Sequence, residues 1–519
     1  MQKTMTFSLA SLATRAPALL PALLLAAGVL SGCSLAPTYE RPDAPVTSTY
    51  PQAPAGYAVP ADSAKPGENA PRATDLGWRE FFPDPRLQKL IGLSLENNRD
   101  LRIAVLNIEA ARAQYRLQVA ELLPPVNASA TYTRSLTPQS ISQTGQDIIT
   151  KQYQLGVGIS NYQVNLFSVG DVTRSARASY LATAEGQRAA QISLISQVAK
   201  AYLNERAYAE QLELAQQTLK GREDYYKLAK QRFDVGASSA LDLRQTETLV
   251  ESARVSVAQL TRQYAQATNA LVLLVGAPLP ADLPPPTTVS SEKIVADIPP
   301  GLPSELLEQR PDIRQAEQKL IAANANIGIA RAAFFPSIGL TSNVGTASGA
   351  LHDLFKAGTG LWSFVPNLTL PIFDWGTRVF QLDSTKANQK IAVATYEKTI
   401  QTAFREVSDA LVARGTLEEQ VAAQKRFRDA TAERLTLSDQ RYRNGVSSFL
   451  DVLDAQRDLF SADQTLVQTR LARLTNAIDL YTALGGGLQE SSTIAAAKQA
   501  QPTAAPGLAP AAPDMTPVR

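Results

Sequence analysis

Apolar and polar side chains alternate along two pairs of short segments, and a much longer segment with helical periodicity follows each pair. Within residues 126–134, valine, alanine and tyrosine occupy one face, while asparagine, serine and threonine occupy the other. This period of two predicts a β-strand with one apolar and one polar face. Residues 153–167 also alternate, but the phase changes at Ser160 and Asn161. That change predicts a β-bulge in the second strand.

The second pair of predicted strands lies within residues 337–373 and repeats the alternation. Pro366 and Pro371 weaken the last strand, because proline has no N–H to donate to a neighbouring strand. The pattern therefore predicts a mostly α-helical chain with one β-hairpin in each half, at residues 126–167 and 337–373.

The helices that follow the hairpins are predicted to be unusually long. No proline occurs from residue 168 to residue 234, so one unbroken helix there would extend about 100 Å at about 1.5 Å per residue. The last helix carries a seam of mainly apolar residues spaced alternately by four and three, which is typical of a coiled coil. Glycines at 485–487 predict its C-terminal cap. The seam consists of Val446, Leu450, Leu453, Arg457, Phe460, Gln464, Val467, Leu471, Leu474, Ile478 and Tyr481.

The second half of the chain repeats the first at an interval of about 210 residues. Asp-Leu-Arg at 100–102 returns as Asp-Ile-Arg at 312–314, and alanines follow each at matching spacings. Residues 232–242 return at 441–451 with the arginine, the glycine, two serines, the leucine and the aspartate unchanged. The proline-rich residues 278–286 separate the halves, because proline cannot continue a helix.

The N-terminus predicts an export signal. Residues 1–32 combine sparse positive charge with an apolar run that is too short and too proline-interrupted for a spanning helix, which needs about 20 apolar residues. Leu-Ser-Gly-Cys at 30–33 follows and resembles the bacterial lipobox, in which the cysteine receives diacylglycerol. Cys33 is the only cysteine in the chain, so we expect a covalent lipid there. Ser34, rather than aspartate, favours sorting to the outer membrane by resemblance to sorted lipoproteins.

These boundaries divide the chain into six predicted segments. They are a signal peptide (1–32), a lipid-anchored extended segment (33–85), a first repeat (86–276, long helices 168–276), a proline-rich linker (277–302), a second repeat (303–487, long helices 375–485) and a disordered Ala/Pro tail (488–519).

Composition and charge exclude several functions. Of 519 residues, 45% are hydrophobic and 19% charged, as in folded proteins. The 50 basic residues nearly balance the 48 acidic ones, so the field that draws proteins to nucleic acid is missing. One cysteine and one histidine, His352, cannot build a metal cluster, and no nucleotide-binding loop occurs. We expect no enzyme activity, no metal, no cofactor besides the lipid, and a solvated His352.

Alternating strands are found between lipid and a watery lumen, and also in half-buried soluble sheets. Alternation alone leaves both interpretations open. Four strands are too few to close a membrane barrel, since the smallest have about eight. If these strands span a membrane, several copies of the chain must combine them.

The lipobox, the duplicated order of helix, hairpin and long helices, and the paired glycine turns resemble the TolC-like outer-membrane factors. The resemblance covers residues 37–487 and is to the lipoprotein branch that serves resistance-nodulation-division pumps. It implies a homotrimer in which each chain gives four strands to one twelve-stranded β-barrel, continued by an antiparallel coiled-coil α-helical barrel in the periplasm. The motifs that carry it are Asn98-Arg99-Asp100-Leu101-Arg102, Arg310-Pro311-Asp312-Ile313-Arg314, Phe373-Asp374-Trp375-Gly376 and Leu450-Asp451-Val452-Leu453-Asp454-Ala455-Gln456-Arg457.

The same resemblance implies partners and places two kinds of site. Gly236 and Gly445 would lie at periplasmic tips where an adaptor protein docks, and both glycines would also permit tight turns between helices. Tyr442 and Asp242 match positions that hold neighbouring helices together in the resting state. An inner-membrane resistance-nodulation-division transporter and outer-membrane lipid are the further expected partners.

The resemblance also places a closed aperture just inside the last tip, formed by Leu450, Asp451, Asp454 and Arg457. Arg457 occupies a seam position among mainly apolar neighbours, so its charge needs a partner such as Asp454 or water in a lumen. Threefold symmetry would turn these residues into rings, which select ions in channels. A self-contained ion pair on a helix face is the alternative.

The predicted function is therefore an exit duct: the lipid-anchored outer-membrane channel of a tripartite efflux pump, with a large periplasmic extension, exporting drugs or other small toxic compounds through a tip gate. A type I protein-secretion duct is an alternative within the channel class. A periplasmic coiled-coil adaptor lipoprotein is the alternative from another class, and it predicts no membrane strands.

Overall fold

The computed structural model describes residues 34–50, 72–292, 294, 298 and 305–491. The predicted signal peptide, Cys33 and the predicted tail from residue 492 onward lie outside the described residues. The chain separates into two compact units. Within the described ranges, unit 1 contains 34–45, 103–187 and 312–401, and unit 2 contains 46–50, 72–102, 188–292, 294, 298, 305–311 and 402–491.

Both repeats contain the predicted order of elements, so the predicted fold class is confirmed. The first repeat and the segment before it form α1 (Trp78–Phe81), α2 (Pro85–Asn97), α3 (Arg99–Ala120), β1 (Asn127–Thr137), β2 (Ile148–Val164), α4 (Val169–Asp234) and α5 (Ala240–Val275). The second repeat forms α6 (Leu306–Gln309), α7 (Pro311–Ala332), β3 (Ser337–Ser348), a 3₁₀ turn (Leu351–Asp353), β4 (Gly360–Thr369), α8 (Thr377–Arg443) and α9 (Phe449–Ala483).

The long helices are continuous where proline is absent. Helix α4 has 66 residues and α8 has 67, which confirms the predicted uninterrupted helix after the first hairpin. The predicted cap of α9 is confirmed as well, because Gly485 has a φ of 84° and the Gly486 N–H donates to Tyr481 O at 2.9 Å. Beyond it, Trp78 N–H and Arg79 N–H donate to carbonyls at residues 489 and 490. The ordered chain therefore extends past the predicted boundary at 487.

The four strands form one antiparallel sheet in the order β1-β2-β3-β4. Strand β2 of the first repeat pairs with β3 of the second, so the sheet joins the two repeats. The predicted bulge in β2 is confirmed: the register shifts between Ile159 and Tyr162, and Asn161 has a φ of 51°. Within the described residues, β1 and β4 each pair on one side only.

Strand β4 ends at Thr369, earlier than the predicted end of the hairpin at residue 373. Pro366 lies inside β4, opposite Leu340 of β3. An edge strand tolerates this proline, because the missing N–H leaves no central ladder bond unmade. Pro371 follows the strand and cannot extend the ladder.

Helices α3 and α7 occupy equivalent positions in the two repeats and each has 22 residues, yet their burial differs. Leu101 is the only buried residue of α3, and Ile103 and Leu106 are more than half exposed. In α7, by contrast, Ile313 and Leu320 are almost completely buried. Within one chain, the apolar face of α7 is therefore buried, whereas the apolar face of the equivalent helix α3 is exposed.

Candidate functional site

The two glycine turns, both within unit 2, have the same geometry. Gly236 has a φ of 75° and Gly445 a φ of 73°, in the left-handed region that favours glycine. In each turn the glycine N–H donates to the carbonyl three residues earlier at 2.9 Å. The next N–H donates to the carbonyl five residues earlier, at 2.7 Å after Gly236 and 2.9 Å after Gly445. This is a Schellman cap, so the glycines are needed for the turns themselves.

The four residues predicted at the aperture lie in the first turns of α9. Leu450 is 50% exposed. Asp454 Oδ1 lies 3.0 Å from Arg457 Nη2 on the same helix face, so within one chain the Arg457 charge has the carboxylate partner that the sequence offered for it. The Arg457 side chain is also 64% exposed. Its charge is thus met by both a carboxylate partner and solvent within a single chain.

Asp451 and Asp454 also face an open polar pocket of about 390 Å³. Basic and hydroxyl side chains complete its lining: Arg434, Ser438, Arg441 and Ser447. The Ser447 hydroxyl is buried and has no hydrogen-bond partner among the residues that the structure describes. The pocket therefore offers both signs of charge together with an unused hydrogen-bonding group.

Tyr442 and Asp242 have separate partners within one chain. The Tyr442 hydroxyl accepts a hydrogen bond from the Arg232 guanidinium, which also lies 5.5 Å from the Tyr442 ring centroid. Asp242 belongs to the capping box of α5: its carboxylate accepts from the Ser239 N–H at 3.2 Å, and its own N–H donates to Ser239 Oγ at 3.1 Å. Tyr442 therefore joins α8 to α4, while Asp242 begins α5.

A second contact between α4 and α8 was not predicted from the sequence. The Tyr225 hydroxyl donates to Asp439 Oδ1 at 3.0 Å, and Arg443 Nε lies 2.8 Å from Asp439 Oδ2. Burial, followed by the hydrogen bond to Asp439, raises the pKa of Tyr225. The spacing of four between Asp439 and Arg443 was visible in the sequence, but the tyrosine lies more than 200 residues away.

The start of the described chain forms a further unpredicted site within unit 1. Asp171, in the first turn of α4, is fully buried. Its Oδ1 accepts from Ser34 Oγ at 2.6 Å, and its Oδ2 accepts from the N–H groups of Leu35 at 3.1 Å and Ala36 at 3.2 Å. Arg174 also reaches this carboxylate, at 3.5 Å. A carboxylate thus binds the residues that directly follow Cys33 in the sequence.

His352 lies in the 3₁₀ turn between β3 and β4, and its side chain is 77% exposed, which confirms the predicted solvated position. No helix in the described part of the chain has both the length and the apolar character needed to cross a bilayer.

One four-stranded antiparallel sheet together with long helices is the architecture of a channel-forming protein of the outer membrane, and the comparisons with known proteins show that this chain shares it. A profile of the outer membrane efflux protein family matches residues 90–277 and 302–486. The chain belongs to this family.

Individual relatives agree with this assignment. The toluene efflux pump outer membrane protein TtgC of Pseudomonas putida is 48% identical over 471 residues, covering 91% of this chain and 96% of the relative. Outer membrane protein OprJ of Pseudomonas aeruginosa is 43% identical over 482 residues, covering 92% and 98%. The open state of the Neisseria gonorrhoeae MtrE outer membrane channel superposes with a TM-score of 0.79 at 41% identity, covering 89% of this chain and all of that one.

Proposed function

We propose that this chain is the outer-membrane exit duct of a tripartite efflux pump that exports drugs, solvents or other small toxic compounds. The observation that carries the proposal is that each hairpin leads into a long helix and that both hairpins form one sheet of four antiparallel strands, whose outer strands each pair on one side only within the described residues. The similarity to relatives named as toluene and other efflux pump proteins supports small compounds, rather than secreted proteins, as the cargo.

The duct works as a homotrimer. Strands β1 and β4 each leave one row of backbone N–H and C=O groups for another chain, and such edges pair readily with further strands. Three chains would then combine twelve strands into one closed barrel, since four strands alone are too few. The exposed apolar face of α3 supports the same arrangement, because its repeat-equivalent α7 has its apolar face covered.

Lipid and partner proteins complete the pump. A diacylglycerol group on Cys33 anchors the chain in the outer membrane, with acyl chains contributing about 0.8 kcal/mol per buried methylene. The Gly236 and Gly445 turns dock a periplasmic adaptor, and an inner-membrane resistance-nodulation-division transporter supplies the energy. The equal geometry of the two turns supports two equivalent docking positions in each chain.

The tip residues Leu450, Asp451, Asp454 and Arg457 form the gate. Three copies would place the exposed Asp454–Arg457 pairs in a ring around the axis. Tyr442 and Asp242 keep the tip closed by contacts between neighbouring helices. Opening then needs no chemistry in this chain, only displacement of these helices when the adaptor docks.

The test combines native mass spectrometry with single-channel recording of the purified, detergent-solubilised protein. We expect a trimer with a small conductance. Co-expression with a cognate adaptor and transporter in a strain that lacks its own exit duct should restore tolerance to toluene. A monomer without conductance would overturn the channel proposal, and a conducting trimer that leaves tolerance unchanged would overturn the efflux role.

A further inference from the structure

The first residues after Cys33 bind along one face of α7 as well as to Asp171. The Arg331 guanidinium donates to Leu35 O at 2.8 Å, and the Asn324 amide donates to Pro37 O at 2.8 Å. Two turns further toward the start of α7, Glu317 accepts from Arg41 Nε at 2.8 Å and from the Tyr39 hydroxyl at 3.1 Å. The side chains that hold residues 34–41 therefore recur along α7 at helical spacing.

Gly328 allows this segment to approach the helix. A Cβ atom at Gly328 would lie 2.0 Å from Asp171 Oδ2 and 2.6 Å from the Ala36 nitrogen. Glycine weakens a helix interior relative to alanine, so Gly328 lowers the stability of α7. The space that its missing side chain leaves is the space occupied by the carboxylate of Asp171.

We infer that Asp171, Gly328 and the polar face of α7 form a docking site for residues 34–41, which fixes the lipid-bearing end of the chain at the start of the sheet. The inference rests on the proposed lipid anchor at Cys33. It assigns Asp171 as a positioning residue: the carboxylate binds the segment, and the segment positions the lipid.

The location of the docking site determines the level at which the lipid begins. Strand β2 ends shortly before Asp171, and β3 begins shortly after Arg331. The Asn165 amide donates to Ala332 O at 2.6 Å and joins these two junctions of helix and strand. Consecutive Cα atoms lie about 3.8 Å apart, so a lipid on Cys33 would be attached one residue before the docked Ser34. The lipid would therefore enter the bilayer on the side of the membrane where β2 ends and β3 begins.

The electrostatics favour a permanently docked segment. A fully buried carboxylate is costly unless hydrogen-bond donors surround it. Two backbone N–H groups and one hydroxyl, all from residues 34–36, supply those donors to Asp171. An aspartate in place of Ser34 would bring a second carboxylate to Asp171 and repel it. Ser34 is thus suited to the docked state as well as to sorting.

The docking site also requires both repeats. Asp171 comes from the first repeat, whereas Asn324, Gly328 and Arg331 come from the second. A chain in which only one repeat has folded would lack half of the ligands for the segment. Residues 34–41 can therefore dock fully only when the parts of unit 1 from both repeats have folded.

The experiment measures amide hydrogen exchange at Leu35 and Ala36, whose N–H groups donate to Asp171, in the purified full-length protein. We expect protection in the parent, and loss of protection in both Asp171→Ala and Gly328→Ala. Two matched controls should leave the Leu35 and Ala36 amides protected: Asp383→Ala, which removes an exposed aspartate of α8, and Gly170→Ala, whose added Cβ would meet no atom of the described residues within 4 Å. Unchanged exchange of the β2 and β3 amides verifies that each variant is folded.

A further variant separates docking from lipid attachment. Cys33→Ser removes the acyl site, and we expect the Leu35 and Ala36 amides to stay protected because their hydrogen bonds to Asp171 do not involve the lipid. Protection that persists in both Asp171→Ala and Gly328→Ala would overturn the docking site, as would protection that disappears in Cys33→Ser. Native mass and conductance of the parent test the exit-duct proposal separately, so the two failures are distinguishable.

Discussion

Arg457 lies one helical turn after Asp454, and its Nη2 stands 3.0 Å from Asp454 Oδ1 while both side chains stay in contact with solvent. Such exposed pairs contribute only about 0.2–0.5 kcal/mol to a helix. Replacing both residues by alanine should leave the protein folded and trimeric. Because the proposed gate would lose its ring of charges, we expect the single-channel conductance to rise severalfold.

The control for this substitution is a second exposed pair at the same spacing, Asp383 and Lys386, whose charged atoms lie 3.4 Å apart far from the tip in sequence. Alanine at both positions should leave the conductance as it is in the parent. If the conductance is equally unchanged in Asp454→Ala/Arg457→Ala, the gate does not include these residues.

Alanine at the two glycine turns should loosen the tips. Both glycines have φ values near +75°, where an L side chain costs about 1–2 kcal/mol. We expect Gly236→Ala and Gly445→Ala each to increase hydrogen exchange of the tip amides about five- to thirtyfold. Binding of the adaptor, followed by surface plasmon resonance, should weaken in parallel.

Gly221 provides the matched control, because it lies inside α4 and an added Cβ would meet nothing within 4 Å. Gly221→Ala should stabilise the helix by about 0.5–1 kcal/mol and leave adaptor binding intact. Normal exchange and normal adaptor binding in both tip variants would show that neither turn requires glycine.

Tyr442 and Asp242 are each bonded elsewhere in the single chain, to Arg232 and Ser239. If Tyr442 and Asp242 hold neighbouring helices together in the resting state, they must therefore form contacts with those helices that replace or add to their bonds to Arg232 and Ser239. We expect Tyr442→Phe and Asp242→Asn each to raise the conductance, and the double variant to add little to either. Purely additive effects in this double-mutant cycle would indicate that the two residues act separately.

The carboxyl group of Glu292, in unit 2, is a test of pH dependence. Burial raises its pKa above 4.5, the Thr287 hydroxyl opposes this by donating to it, and the nearby Asp84 carboxylate adds to the rise. A raised pKa in the folded state means that protonation favours folding, so stability falls as the pH rises through that pKa. Glu292→Gln should therefore raise the melting temperature at pH 7, and the difference should shrink as the pH is lowered toward 4.5.

Glu213 is a suitable comparison for this variant, since it lies exposed on α4 and its carboxylate accepts a hydrogen bond from the Gln217 amide at 3.3 Å. Glu213→Gln should not change the melting temperature at either pH. A gain in Glu292→Gln that is the same at pH 7 and pH 4.5 would mean that the loss of charge is not its cause.

Local patterns predicted the elements well because local physics decides them. The phase change at Ser160 and Asn161 identified the bulge, and the absence of proline identified α4. The end of β4 was predicted too late, since alternation continues into residues 370–373 although Pro371 cannot pair. Burial was predicted less well, because the seam position at Leu450 remains half exposed within one chain.

The Asp171 docking site left no comparable signal in the sequence. Its groups come from three segments far apart along the chain, and each is unremarkable alone: a serine, a helical glycine and an aspartate at a helix start. An aspartate in the first turn of a helix is usually explained by the helix dipole. Only the fold shows that this one is buried and accepts hydrogen bonds from a hydroxyl and two backbone N–H groups, with Arg174 3.5 Å away.

The open edges of β1 and β4 also have a consequence for biogenesis. A newly exported chain has both edges before it meets its copies, and unpaired edges can also pair with other extended peptides. Productive assembly and aggregation then compete, and both accelerate as unassembled chains accumulate. The yield of channels therefore depends on the rate at which chains are exported and on how well chaperones bind the unassembled chains. Stronger expression should give more aggregate rather than more channels.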